Sequence, residues 1–153
     1  MLQLATKADH ASVNEIARQV HALHVEWRPD LYCMVEELYP QERFDECIAK
    51  RQLYVAKIEG NVVGYALLIT RDVKVNGLNP CRIMAIDEFA VHEAATGHGI
   101  GSEMMADIRA LAKAFRCNHL KLGVYPQNDG AIRFYERNGF YETMKTIECQ
   151  ALE

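Results

Sequence analysis

The stretch Val91-His92-Glu93-Ala94-Ala95-Thr96-Gly97-His98-Gly99-Ile100-Gly101-Ser102-Glu103-Met104-Met105 decides the fold. It begins as the end of an apolar run from Ile83 to Val91 and crosses a glycine-rich turn from Thr96 to Gly101. It then continues at helical spacing through Ile100, Met104, Ile108, Leu111 and Phe115. A strand, a glycine-rich turn and a helix in that order let several backbone N–H groups point outward together. The helix N-terminus adds partial positive charge, so the turn suits a phosphate or pyrophosphate. Glycines at such a junction also serve as simple tight turns with close helix packing. The spacing is not the dinucleotide fingerprint, and no Gly-Lys-Ser/Thr follows to make a phosphate loop. The turn by itself therefore leaves both readings open.

Outward from this stretch the period changes. Upstream, Leu53, Val55 and Lys57 alternate with Tyr54, Ala56 and Ile58. Glu59-Gly60-Asn61 then turns the chain into Val62 to Ile69, a hairpin signal. Asn76-Gly77 and Asn79-Pro80 mark a second turn ahead of a strand from Arg82 to Val91. Nearer the N-terminus, Leu2 to Thr6 reads as an edge strand, and Asp9 as the cap of a helix. That helix has a buried stripe of Val13, Ile16, Ala17, Val20, Leu23 and Trp27, and Pro29 ends it. A second helix, Gln41 to Ala49, buries Phe44, Cys47 and Ile48. After the helix from Gly99 to about Phe115, His119 to Val124 reads as a strand and Tyr125 to Gly130 as a loop. Ala131 to Tyr135 forms a short helix stopped at Asn138-Gly139, and Phe140 to Cys149 is read as a last strand. Hairpins followed by a glycine turn and a long helix indicate an α+β, mixed α/β sheet rather than a strictly alternating order.

The bulk properties set limits. A chain of 153 residues is expected to form a single domain, 1–153, with its own core. A net charge of −4 argues against a nonspecific nucleic-acid partner and for a cationic one. No apolar run is long enough for a membrane span and no signal-peptide pattern opens the chain, so a cytoplasmic protein without a membrane partner is expected. Five cysteines, odd in number and widely spaced, fit buried reduced thiols better than disulfides. His21, His24 and Cys33 are too loosely spaced for a metal site, so no metal is expected.

Two further places carry chemistry. The segment Trp27 to Pro40 mixes Trp27, Tyr32 and Tyr39 with Asp30, Glu36 and Glu37. It is either ordinary packing over a sheet or a substrate wall, in which aromatic faces and carboxylates suit a cationic amine. Asp87 and Glu88 stand in the apolar run Ile83 to Val91, where carboxylates need a reason. Period-two geometry puts them on opposite faces of the strand. One of them pairing with Arg82 or another cation is the plainer account.

FAVHEAATGHGIGSEMM (89–105) and, further on, GVYPQNDGAIRFYERNGF (123–140) together resemble the Gcn5-related N-acetyltransferase family. There, a strand ending in Val leads into Arg/Gln-x-x-Gly-x-Gly, and a later strand is followed by Asn-x-x-Ala-x-x-Phe-Tyr and Gly-Phe. Asn128, Ala131, Phe134, Tyr135, Gly139 and Phe140 fall at those places. The resemblance implies a central, mostly antiparallel sheet of roughly six to seven strands, flanked by about four helices and splayed at an acetyl-CoA site. It implies acetyl-CoA as cosubstrate, its pyrophosphate on Thr96, Gly97, His98, Gly99, Ile100, Gly101 and Ser102. The pantetheine would lie along Phe89, Ala90 and Val91, with Asn128 and Tyr135 also in the cofactor site. The family's Arg or Gln is Thr96 here, and Glu93, Ala94 and Ala95 replace its proline and aromatic, which puts one side-chain contact in question.

Acetyl transfer to an amine needs a proton acceptor for the ammonium, a donor for the carbonyl oxygen and an acid for the leaving thiolate. The resemblance makes Tyr135 the acid and assigns the base jointly to Asp87 and Glu88, or to a water they hold; a core role is the other account of Tyr135. The diamine acetyltransferases within the family resemble this region in the acidic pair, the GIGSE run and Arg116-Cys117. By that similarity Asp87 lies where the base lies and Glu88 contacts the amine; Trp27 and Tyr32 are substrate candidates from the aromatic-acidic segment alone. The expected function is acetyl transfer from acetyl-CoA to a primary amine by direct attack in a ternary complex, the substrate a small cationic amine. A protein or peptide acceptor is the alternative, and a non-catalytic acyl-CoA-binding module is least favoured. A homodimer follows from the resemblance alone.

Overall fold

The computed structural model describes residues 1–152, which fall into two compact units, residues 1–123 and the residues from Val124 onward. In the first unit, β1 (Leu2–Leu4) leads through a 3-10 turn (Lys7–Asp9) into α1 (His10–Trp27) and α2 (Gln41–Ala49). Then come β2 (Leu53–Ile58), β3 (Asn61–Val73), β4 (Cys81–Val91), a second 3-10 turn (Glu93–Ala95), α3 (Ile100–Ala114) and β5 (His119–Lys121). The second unit holds α4 (Asp129–Arg137). Among the described residues one sheet runs β1-β2-β3-β4-β5, antiparallel except for β4 with β5. Helix α3 supplies the crossover that a parallel neighbour requires.

The helices form where the sequence lets them. From His10 to Trp27 and from Ile100 to Ala114 there is no proline, and the one glycine, Gly101, sits in the first turn of its helix. One sheet face packs Leu53, Val55, Tyr65, Leu67 and Ala90 against Val13, Ile16 and Ala17 of α1 and Phe44 of α2. The other packs Ala56, Phe89 and Val91 against Ile100 and Met104 of α3. At Gly64 of β3 the sheet and α3 come close together. A Cβ there would lie 2.7 Å from Met104 Sδ and 2.8 Å from the Ala90 carbonyl oxygen.

Several expectations need correction. The sheet has five strands among the described residues, not six or seven, because Phe140–Cys149 forms no strand. Tyr141, Met144 and Ile147 there are 82%, 83% and 90% exposed, and a strand needs both a ladder partner and a face to bury. The strand expected to reach Val124 stops at Lys121, where its pairing with β4 ends. The buried stripe of α1 ends early, since Leu23 is exposed and Trp27 only half-buried. Phe115 is likewise exposed, just past α3. Asp9 precedes α1 without capping it. Its Oδ2 accepts the N–H and hydroxyl of Thr6 at 2.8 and 3.0 Å, and Lys57 Nζ lies 2.8 Å from Oδ1. Burial opposes the charge, yet Lys57 and Thr6 hold this carboxyl below its usual range.

Gly64→Ala is expected to destabilise the protein by about 1–3 kcal/mol, since the Met104 thioether can swing aside but a strand carbonyl cannot. An unchanged urea midpoint would show that β3 and α3 can separate freely.

Candidate active site

Strand β4 carries a bulge at the acidic pair. Leu67 pairs with Glu88 and Leu68 with Ile86, so Asp87 has no partner on β3. Asp87 is exposed, whereas Glu88 points with Leu67 and Ala90 to the α1–α2 face and is half-buried. There Glu88 Oε2 accepts the hydroxyls of Tyr39 and Tyr65 at 2.6 and 2.8 Å, and Oε1 accepts Arg43 Nη2 at 2.9 Å. The Arg43 guanidinium also lies 4.1 Å from the centre of the Tyr39 ring. Burial and the Glu88 charge push both phenols well above the usual tyrosine range, so they stay protonated donors. The cation that pairs with the acidic pair is thus Arg43; Arg82 pairs with Asp72 at 2.7 Å.

Helix α1 places Tyr39. Asn14, buried within the fold, accepts the Tyr39 N–H at 2.9 Å and donates to its carbonyl at 3.0 Å; His10 Nε2 also lies 2.6 Å from that carbonyl. One and two turns on, Arg18 donates to the Glu36 carbonyl at 2.9 Å and His21 reaches that of Cys33 at 2.7 Å. Residues 14, 18 and 21 share a helix stripe, so one edge of α1 holds the irregular segment 28–40 residue by residue. At the end of that edge His24 stacks on Tyr32 with centroids 5.3 Å apart and meets Trp27 edge-on at 5.5 Å. Burial and the neighbouring His21 lower the His24 pKa, with Glu88 pulling the other way. Trp27 and Tyr32 therefore share a wall with His24, which feels the charge of Glu88.

The glycine turn is built in two parts. His92 Nδ1 accepts the Ala94 N–H at 3.1 Å, and Gln19 Oε1 of α1 accepts that of Glu93 at 3.0 Å. The Ala95 and Thr96 N–H groups bond to the carbonyls of His92 and Glu93 at 2.8 and 3.4 Å. Thr96 turns its hydroxyl back to the Glu93 carbonyl at 2.8 Å. Beyond it, Gly97 and Gly99 both have φ of +80°, a left-handed backbone that glycine adopts without strain. No main-chain acceptor among the described residues meets the N–H groups of Gly97, His98, Gly99, Ile100, Gly101 or Ser102. A Cβ added at Gly97 or Gly99 would meet nothing within 4 Å. This is an open run of donors at the positive end of α3, suited to a diphosphate. Beside it, β4 runs on past Ala85, its last pair with β5, through Phe89, Ala90 and Val91.

In the second unit Asn128 caps α4, its Oδ1 accepting the Ala131 N–H at 3.1 Å. Tyr135 lies edge-on to Phe134 and Phe140 at 5.3 and 5.6 Å, and burial pushes its phenol up to about 12.

A model of the acetyltransferase (GNAT) family matches residues 19–140, most of the chain and both motif stretches. The chain belongs to the acetyltransferase (GNAT) family. Among curated relatives, the spermine/spermidine N(1)-acetyltransferase of Bacillus subtilis strain 168 is 33% identical over 84 residues. That match covers 54% of each, so the chain spans about half the length of the curated relatives it matches. A crystal structure of a mutant BH1408 protein from Bacillus halodurans superposes with a TM-score of 0.94 at 25% identity, covering 99% of both chains. An aminoglycoside N-acetyltransferase solved in complex with CoA shares the fold, with a TM-score of 0.66 at 14% identity over 99% of each chain. No helix among the described residues is long and apolar enough to cross a membrane.

The sequence did not point to Arg43 or Tyr65 as partners of Glu88. An inward-facing tyrosine on β3 needs a partner for its hydroxyl, which was the available signal for Tyr65. For Arg43, one of several cations, there was none. Glu88→Ala is expected to cost about 2–3 kcal/mol by leaving two phenols and a guanidinium without their acceptor, while Tyr65→Phe costs about 1 kcal/mol. Denaturant unfolding that ranks Tyr65→Phe at or below Glu88→Ala in stability would contradict this account.

Proposed function

We propose that this acetyltransferase-family chain moves the acetyl group of acetyl-CoA to the primary amine of a small cationic molecule by direct attack in a ternary complex. The observation that carries it is the run of open N–H groups from Gly97 to Ser102, beside a strand with one exposed and one clamped carboxylate. The likeness to a spermine/spermidine acetyltransferase and to a CoA-bound aminoglycoside acetyltransferase supports the same cofactor and substrate class.

The cosubstrate supplies an activated thioester. The amides of Gly97–Ser102 hold its pyrophosphate, which needs no side chain at Thr96, and Phe89, Ala90 and Val91 line the pantetheine. Asp87 takes the ammonium proton, directly or through a water, because it is exposed and its carboxylate is not gripped. Glu88 already accepts from three donors, and a carboxylate offers about four lone-pair sites. It therefore holds the substrate cation by charge and one remaining site, opposite Trp27 and Tyr32. As the amine nitrogen bonds to the carbonyl carbon, the C–S bond breaks and the sulfur leaves as a thiol, taking the Tyr135 proton; the surplus proton on the new amide nitrogen then passes to the tyrosinate, directly or through water. A phenol at about 12 remains protonated across neutral pH and is ready for that step.

Free-thiol release from acetyl-CoA, measured over a panel of polyamines, aminoglycosides and lysine- or N-terminal peptides, tests this directly. Turnover is expected with the small polycations, and Tyr135→Phe and Asp87→Asn are each expected to lower kcat about 100-fold. Activity on peptides alone would replace the substrate class, and CoA binding without turnover on any amine would leave only a binding module.

A pH effect accompanies it. Because the His24 pKa is lowered, the imidazole is neutral at pH 7 and becomes cationic only below the ordinary histidine range of about 6.5. The KM of a cationic amine should therefore rise as pH falls toward 5, and His24→Phe should flatten that rise. An identical profile in the variant would remove His24 from the wall. The unfolded chain also binds this proton more readily, so stability contributed by neutral His24 is present above pH 6.5 and falls below it.

A further inference from the structure

The hydrogen bonds around the second 3-10 turn change character at a single residue. Up to Thr96 every N–H is satisfied within the chain: Glu93 by Gln19, Ala94 by His92, Ala95 by the His92 carbonyl and Thr96 by the Glu93 carbonyl. From Gly97 to Ser102 none has a main-chain acceptor among the described residues. The segment just ahead of the open donors is thus fastened, and two of its four bonds come from side chains, one of them on α1.

The ring of His92 has a fixed role in this. A backbone N–H can only donate, so Nδ1 must be the bare nitrogen that accepts from Ala94. The neutral ring then carries its proton on Nε2, which lies 3.2 Å from Glu15 Oε1. Gln19 Nε2, also 3.2 Å away, is then a neighbour rather than a hydrogen-bond partner, since both nitrogens bear protons. Gln19 instead spends its amide oxygen on Glu93. Glu15 and Gln19 are one helical turn apart on α1, so they present one face to the turn. That face is wet, because Glu15 and His92 line an open polar cavity of about 390 Å³ with Asp9, Ser12 and Lys57. The Glu15 side chain is itself 57% exposed. Neither His92 nor Glu15 belongs to the buried core, so the contact serves chiefly to fix where the free amides point.

We infer that Gln19 and His92 are positioning residues for the pyrophosphate turn: acceptors on them, oriented from α1 through Glu15, hold Glu93–Ala95 so that the Gly97–Ser102 amides converge before the cosubstrate arrives. This rests on the acetyl-CoA reading above. A preorganised turn binds more tightly because less ordering is lost on binding. It acts on the diphosphate, remote from the reacting atoms, so its effect belongs to cofactor affinity and not to the chemical step.

The test uses the full chain, with CoA titrated calorimetrically and steady-state kinetics run alongside. Gln19→Met and His92→Leu keep the side-chain volume without the acceptor. Each is expected to raise the Kd of CoA and the KM of acetyl-CoA about five- to tenfold, with kcat and the amine KM within about twofold of the parent. His92→Asn keeps an oxygen that can accept from the amide two residues on, and should restore most of the affinity. If the parent protein itself fails to bind CoA, the cofactor reading falls. If the parent binds and Gln19→Met and His92→Leu bind equally well, this inference falls while that reading stands. A loss shared by His92→Asn, or a drop in kcat at unchanged Kd, also overturns it.

Discussion

The structure of the first unit turns on one carboxylate. Glu88 lies on a strand whose other inward residues are apolar, and it faces inward in step with Ala90, two residues on. Once inward it must be satisfied, because an unpaired carboxylate in such a place costs several kcal/mol (roughly) in real proteins. Three donors from three elements meet it: Tyr39 ahead of α2, Arg43 on α2 and Tyr65 on β3. Asp87, beside Glu88 and without a register partner on β3, is exposed. Two adjacent acidic residues are thereby given different environments, the usual way in which a pair of carboxylates comes to hold different roles.

That arrangement depends on an amide two elements away. Asn14 holds both the N–H and the carbonyl of Tyr39, whose hydroxyl reaches Glu88, and a buried amide so engaged leaves the segment little freedom. The neighbouring bonds from Arg18 and His21 continue the constraint toward Tyr32 and Trp27. An irregular stretch with Leu31 and Met34 exposed would have few other reasons to keep one conformation.

Much of this was legible in the sequence, for identifiable reasons. The order strand, glycine turn, helix survives because local chemistry dictates it: left-handed glycines at Gly97 and Gly99, and an apolar stripe at Ile100, Met104 and Ile108. The hairpin at Glu59-Gly60 is equally local, with both residues at positive φ. What failed depended on distant partners. The bulge opposite Asp87 is set by the register of β3 against β4, which the residues of β4 do not encode alone. Phe140–Cys149 alternates well enough for a strand, but alternation does not supply a neighbour. Asp9 looked like a cap and became the buried partner of Lys57, a residue on a strand far along the chain.

Helix α1 gives the two halves of the chemistry a common reference. One stripe of it, Asn14, Arg18 and His21, fixes the segment that carries Tyr32 and Tyr39; the next stripe round, Glu15 and Gln19, meets the turn that precedes the open amides. Successive residues on a helix are separated by about 100° around its axis, so two adjacent stripes face two different neighbours from one rigid body. Between them Val13, Ile16 and Ala17 fix the helix to the sheet with full burial. A close-packed interior transmits displacement rather than absorbing it. A rotation of α1 large enough to free Gln19 from Glu93 would also pull Asn14 off Tyr39 and loosen the grip on Glu88. On the proposed acetyl transfer, the close registration of acyl donor against amine acceptor that direct attack demands would in this way be tied to the packing of one helix.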